Sequence, residues 1–100
     1  MKAGRASIRY AKALLEFAIE NNAEKKVVEE MQNVFSVMES NPELDATLNS
    51  PVIPSAQKRK ILSDVFPNPS KTVSALYDLL SRNGREGILG GVAHHFIALF

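Results

Sequence analysis

The 100-residue sequence contains no cysteine and only five glycines and five prolines. The absence of cysteine excludes a disulfide framework, a thiol nucleophile and a cysteine-based zinc site. No apolar run approaches the ~18–20 residues that span a bilayer, so we expect no direct membrane insertion. Twelve basic and 11 acidic residues leave a net charge of only +1, whereas duplex-binding proteins normally carry a larger basic excess.

The composition is typical of a folded globular protein. Hydrophobic residues make up 45% and charged residues 23%, which argues against a disordered chain. A chain of this length suits one domain. We therefore expect residues 1–100 to form a single domain.

Helical periodicity and helix breakers predict an all-α fold, a compact bundle of about six helices. No segment shows sustained period-two alternation, so we expect no sheet. Asn41 before Pro42 and Ser70 are predicted N-caps, and Asn83-Gly84 is a left-handed C-cap signal. The predicted helices cover residues 5–21, 23–40, 42–49, 55–66, 70–82 and 85–100.

The first and fifth helices are apolar over a wider arc than one core face requires. On a helical wheel the arcs are roughly 240° and 200°, compared with the ~100° of an ordinary surface helix. Either both helices are buried on two sides, or each lends its surplus face to a groove that receives a helix from another protein. The wheel places Leu15 and Leu76 nearer the core. On the first helix, the surplus face contains Tyr10, Ala13, Leu14 and Phe17.

No pattern in the sequence assembles a catalytic or cofactor site. The glycine-rich residues 84–91 lack the preceding strand and the Gly-Lys-Ser/Thr of a phosphate loop, which favours a helix cap and close packing. His94 and His95 are adjacent and point ~100° apart, so they cannot chelate one metal ion. The basic run at residues 58–60 indicates a solvated face, with nucleic acid or anionic lipid as the alternative. We expect no enzyme activity, no cofactor and no metal site.

Three segments together resemble one known family, the delta subunit of bacterial F-type ATP synthases, called the oligomycin-sensitivity-conferring protein in mitochondria. Residues 9–18 (RYAKALLEFA) resemble its opening helix. Residues 48–54 (LNSPVIP), followed by 58–62 (KRKIL), resemble its central corner and helix, and residues 79–85 (LLSRNGR) resemble its Asn-Gly-Arg helix junction. The matches occur in family order and spacing, although Gly87 and the Gly90-Gly91 pair depart from the family's typical last helix.

The resemblance implies a non-catalytic stator component. In this family the N-terminal six-helix domain sits on the catalytic head and binds the N-terminal amphipathic helix of an alpha subunit. The docking groove lies between its first and fifth helices. The matching positions in this sequence are Tyr10, Ala13, Phe17 and Leu79. Wheel geometry extends the predicted groove to Leu14, Ala75 and Arg82.

The resemblance also implies a wider setting. The family's subunit is nearly twice this length, so we expect the chain to be the N-terminal domain of a longer subunit. The family's C-terminal domain contacts the b subunit of the peripheral stalk. The complex implied is peripheral to the cytoplasmic side of the bacterial inner membrane, with no nucleic-acid partner. The alternative that the residues leave open is a small helical RNA-binding or adaptor domain, which would show steeply salt-dependent binding.

Overall fold

The computed structural model describes residues 4–100, and within that range it contains six α-helices, one short 3₁₀ helix and no strand. The predicted all-α fold is confirmed. The last helix differs from its prediction, because a 3₁₀ turn at Glu86–Ile88 precedes it. The α-helices are α1 (Arg5–Glu20), α2 (Glu24–Ser40), α3 (Pro42–Leu48), α4 (Ser55–Val65), α5 (Lys71–Arg82) and α6 (Leu89–Leu99).

All three predicted caps lie at the predicted helix ends. The Ser70 hydroxyl accepts a hydrogen bond from the backbone N–H of Val73 at 3.3 Å, and Gly84 has a φ of +64° beyond the end of α5. Asn41 occupies the predicted N-cap position of α3, with Pro42 at the first helical position, but its side chain makes no capping hydrogen bond there. Its side-chain amide donates to the Val37 carbonyl at 2.8 Å, because the last carbonyls of α2 lack helical partners and the amide nitrogen is a donor.

Helix α6 lies at the centre of the bundle and packs most extensively against α1 and α2. Its first five residues are all buried, so this part of the helix is covered on every side. Gly90 and Gly91 lie in this stretch, where the lack of a side chain permits close approach of neighbouring helices. The buried face of α1 is also built largely from small residues, namely Ser7, Ala11 and Ala18. The helix buried on more than one side is therefore α6.

An arginine fastens α4 to α5. The Arg59 Nε lies 2.8 Å from Asp78 Oδ1, and its Nη1 donates to the Ser63 hydroxyl at 2.8 Å. The guanidinium carbon lies 5.6 Å from the Tyr77 ring centroid, within cation–π range. We call this arrangement the Arg59 brace. Lys58 is buried, Arg59 is half-buried and Lys60 is exposed, so the prediction of a solvated basic face at residues 58–60 is wrong for Lys58 and holds for Lys60.

Gly87 marks a close contact between the 3₁₀ turn and the end of α3. The Asn49 side-chain amide donates to the Gly87 carbonyl at 3.2 Å and to the Asp45 carbonyl at 2.9 Å. A Cβ added to Gly87 would overlap the Asn49 amide group. A larger residue at position 87 would therefore force the Asn49 side chain to move.

Candidate functional site

Helices α1 and α5 run side by side in opposite directions and are joined at one end by a hydrogen bond. The Asn83 side-chain amide, just beyond the end of α5, donates to the Tyr10 hydroxyl near the start of α1 at 2.7 Å. Phe17, two turns further along α1, lines the same surface as Thr72 at the start of α5. The Asn83 bond therefore defines a Tyr10 end and a Phe17 end of the surface between the helices.

An open groove runs along this surface. One cavity of about 340 Å³ lies between the two helices, and a wider recess of about 650 Å³ adjoins it at the Tyr10 end. The two share Tyr10, Ala13 and Leu79, so they form one continuous depression. We call it the α1–α5 groove. Its full lining is Arg9, Tyr10, Ala13, Leu14, Phe17, Thr72, Ala75, Leu76, Leu79, Arg82, Asn83 and Arg85.

The structure places all seven residues predicted for the groove in its lining: Tyr10, Ala13, Leu14, Phe17, Ala75, Leu79 and Arg82. Phe17 is 44% exposed and Leu79 is 37% exposed, so each wall presents a large apolar side chain to solvent. Ala13 and Ala75 are exposed small residues, and Leu14 is buried beneath them. The surplus apolar faces of α1 and α5 are therefore not covered by other helices of the described chain.

One assignment from the helical wheel is wrong. Leu15 was expected nearer the core, but it is only half-buried, whereas Leu14 is 4% exposed. The reason is the position of the neighbours: α6 covers one side of α1, and α5 approaches from the side of Leu14. The buried arc of α1 therefore runs from Leu14 through Ala18 to Ala11 and leaves Leu15 just beyond its edge. Leu76 is buried, as predicted.

Five residues that the sequence pattern did not predict also line the groove. Thr72 and Leu76 form part of its α5 wall, and the other three, Arg9, Asn83 and Arg85, belong to the recess at the Tyr10 end. Arg9 could have been found, because it lies only ~40° from Ala13 on the wheel. Asn83 and Arg85 follow the end of α5, and no helical periodicity could have assigned them to the groove.

The groove carries positive charge at one end only. Arg9, Arg82 and Arg85 line it, and no aspartate or glutamate does. Among residues 4–100, none of the three has a carboxylate oxygen within 4.0 Å of a guanidinium nitrogen, since the ion pair found there joins Arg59 to Asp78. All three arginines are exposed. The Tyr10 end therefore offers unpaired cations beside an apolar floor.

A second, more polar recess of about 270 Å³ lies between α2 and the segment before α5. Its Glu30 carboxylate accepts hydrogen bonds from the Ser70 backbone N–H at 2.8 Å and from the Ser70 hydroxyl at 2.6 Å. Nearby, burial raises the pKa of Tyr77 well above its usual range, with a further contribution from Glu30 that Arg59 opposes. These groups fix the start of α5 and do not form a reactive centre.

Neither a metal site nor a membrane span is found in the part of the chain that the structure describes. No group of three or more histidine, aspartate or glutamate side chains in residues 4–100 is arranged to hold a metal ion. Over the same residues, no helix combines the length and apolarity needed to cross a bilayer.

The family model of the ATP synthase delta (OSCP) subunit matches residues 6–100, a range that includes both walls of the groove. The chain belongs to this family. A protein named ATP synthase subunit delta from Flavobacterium psychrophilum is 38% identical over 100 residues, covering 100% of this chain and 56% of that protein. The subunit of that name from Chlorobaculum tepidum is 39% identical, with 99% and 55% covered.

A third delta-family relative, from Christiangramia forsetii, is 35% identical over 100 residues and covers 100% of this chain and 54% of that protein. The chain thus spans about half the length of the curated relatives it matches. Membership in the delta family confirms the resemblance recognised in the sequence. It does not favour the alternative of a small RNA-binding or adaptor domain.

Proposed function

We propose that this chain is a non-catalytic component of an F-type ATP synthase and binds the N-terminal amphipathic helix of an alpha subunit in the α1–α5 groove. One observation carries the proposal: Phe17 and Leu79 expose apolar surface on opposite walls of a groove, although a complete core lies beneath it. Exposed apolar surface collected in one depression is typical of a protein-binding site.

The side chains that line the groove suit a helical partner. An α-helix with its side chains is ~10–12 Å wide, and its backbone approaches closely only where the receiving side chains are small. Ala13 and Ala75 meet that requirement, one on each wall. Leu14 and Leu76 form an apolar floor for side chains at the i, i+3, i+4 and i+7 positions that characterise helix-in-groove recognition. The occupant is therefore an amphipathic helix.

Family membership supports a role within the enzyme. We propose that the chain is the N-terminal domain of a longer subunit and helps link the catalytic head to the peripheral stalk during proton-driven ATP synthesis. Contact with the stalk's b subunit belongs to the other half of the family's length. The complex lies on the cytoplasmic side of the bacterial inner membrane. The chain itself uses no cofactor.

A titration with a peptide of the cognate alpha subunit's N-terminal segment tests this function. In ¹⁵N NMR spectra, we expect the largest shift changes at Ala13, Phe17, Ala75 and Leu79. Val52 is exposed but does not line the groove, so its shift should change little. The affinity should depend on salt much less steeply than nucleic-acid binding does. Absence of binding, or shifts centred outside α1 and α5, would refute the proposal.

A further inference from the structure

The charge of the α1–α5 groove is unevenly distributed along its length. Arg9, Arg82 and Arg85 gather at the Tyr10 end, although the whole chain has a net charge of only +1. Towards the Phe17 end, α1 carries the exposed carboxylates of Glu16 and Glu20 instead. The lining of the groove therefore has cations at the Tyr10 end only, and the exposed Lys71 at the start of α5 lies next to the Phe17 end but outside the lining.

We infer that the helix bound in this groove carries acidic side chains at the end that lies against Tyr10 and Arg82, and that this pairing sets the direction in which the helix lies. The inference rests on the proposed function, because it assumes that a helix occupies the groove. It adds the charge pattern of that helix and its orientation.

Arginine suits this task better than lysine would. A planar guanidinium can donate two parallel hydrogen bonds to one carboxylate, which fixes geometry as well as charge. None of the three arginines has a carboxylate partner among residues 4–100, so no ion pair identified there must break before a partner binds. Since all three are exposed, each pair would add little affinity. Charge complementarity of this kind contributes mainly to orientation and to partner selection.

A peptide helix fits the groove better than a nucleic acid does. Between the arginines and the Phe17 end, the lining is mostly alanine and leucine, which offers phosphates nothing to bind. Single-stranded nucleic acids bind where aromatic faces stack on successive bases, and in this groove the two aromatic residues lie at opposite ends. An RNA partner is therefore an outcome for the test to exclude.

The test uses the 100-residue chain and two designed amphipathic helical peptides. The acidic peptide has a pair of glutamates in its first turn, and the neutral peptide has glutamine in their place. The protein variant combines Arg9→Gln, Arg82→Gln and Arg85→Gln. The matched control combines Lys25→Gln, Lys26→Gln and Lys60→Gln, which removes the same charge from exposed positions outside the groove.

We expect the arginine variant to bind the acidic peptide about tenfold more weakly than the parent does, since each exposed pair accounts for roughly a 1.4- to 5-fold change. Binding of the neutral peptide should be unchanged within about twofold, and the control should bind both peptides as the parent does. A nitroxide at the acidic end of the peptide should broaden the NMR signal of Asn83 more strongly than that of Thr72, which lies ~16 Å away along α5.

Each other outcome has a distinct meaning. If neither peptide binds the parent, the proposed function fails and the inference fails with it. If both peptides bind but the arginine variant loses no more affinity than the control, the helix groove stands and the charge pattern is refuted. If the nitroxide broadens the signals of Asn83 and Thr72 equally, the proposed orientation is refuted. Tighter binding of a single-stranded RNA oligonucleotide through the same arginines would also overturn the inference.

Discussion

Ala11 and Ala13 offer a matched pair of substitutions that separates binding from folding. Both are alanines of α1, but Ala11 is 0% exposed, whereas Ala13 faces solvent in the groove. An aspartate introduced at position 13 would stay hydrated in the free chain and lose its water only when a helix docks. The same change at position 11 would bury a carboxylate inside the bundle in every state of the folded chain.

The expected magnitudes differ widely. An uncompensated buried charge costs ~3–5 kcal/mol, and each kcal/mol lowers the melting temperature of a domain this size by ~4–8 °C. Ala11→Asp should therefore lower it by at least ~12 °C, a large part of a total stability of ~5–15 kcal/mol. Ala13→Asp should cost only the lower helix propensity of aspartate, ~0.7 kcal/mol or less. Dehydrating its carboxylate in the complex, partly offset by Arg9, should weaken binding ~10- to 100-fold.

Thermal unfolding by circular dichroism and calorimetric titration with the alpha-subunit peptide measure the two effects. Leu79→Asp and Leu80→Asp repeat the comparison on α5, where Leu79 is 37% exposed and Leu80 is 0% exposed. If Ala13→Asp and Leu79→Asp bind the peptide as tightly as the parent, the groove is not the docking site. If they destabilise the chain as much as Ala11→Asp and Leu80→Asp do, their apolar faces belong to the core.

Three further predictions concern contacts away from the groove. Gly87→Ala should lower the unfolding free energy, measured by urea unfolding, by ~1 kcal/mol, because the Asn49 amide must move and lose a hydrogen bond. If Gly87→Ala lowers the unfolding free energy by the same amount in an Asn49→Ala background, this reason is contradicted. Since burial raises the pKa of Tyr77, the unfolded chain loses that proton first above about pH 10, and stability should fall with pH by up to ~1.4 kcal/mol per unit. In Tyr77→Phe, the urea midpoint should therefore fall less steeply with pH, whereas Tyr10→Phe should behave as the parent does. If the pH dependence of the midpoint is unchanged in Tyr77→Phe, Tyr77 is not the group responsible. Calorimetry should detect no stoichiometric ATP binding at micromolar concentration, because no phosphate loop is present in the sequence.

Local sequence signals predicted most of the fold, because they act within a few residues. Ser70 and Gly84 mark helix ends through their own backbone and side-chain geometry, and both were assigned correctly. The 3₁₀ turn before α6 was missed because it depends on Gly87 lying against Asn49, 38 residues away in sequence. The position of Asn41 before α3 was predicted correctly, but not its side-chain bond, because an amide carries both an acceptor for the N–H groups of α3 and a donor for the carbonyls of α2.

The candidate site was predicted less completely than the fold. The wide apolar arcs on α1 and α5 indicated surplus surface, and the family resemblance supplied the positions on it. The wheel could not decide between Leu14 and Leu15, because that choice depends on where α5 and α6 lie. Asn83 lies at the groove through its hydrogen bond to Tyr10, which is 73 residues away in the sequence. Helical periodicity cannot predict a contact over that separation.

The Arg59 brace has a consequence for the energetics of the opposite face of α5. It holds this helix against α4 through Tyr77 and Asp78, which point away from the groove lining. One wall of the groove is thus held in place before any partner arrives, and little conformational entropy of α5 remains to be lost on association. Preorganised sites retain more of their contact energy as affinity. We therefore expect loosening of the brace, as in Arg59→Ala, to weaken binding of the alpha-subunit peptide in calorimetric titration, although Arg59 lies outside the groove lining.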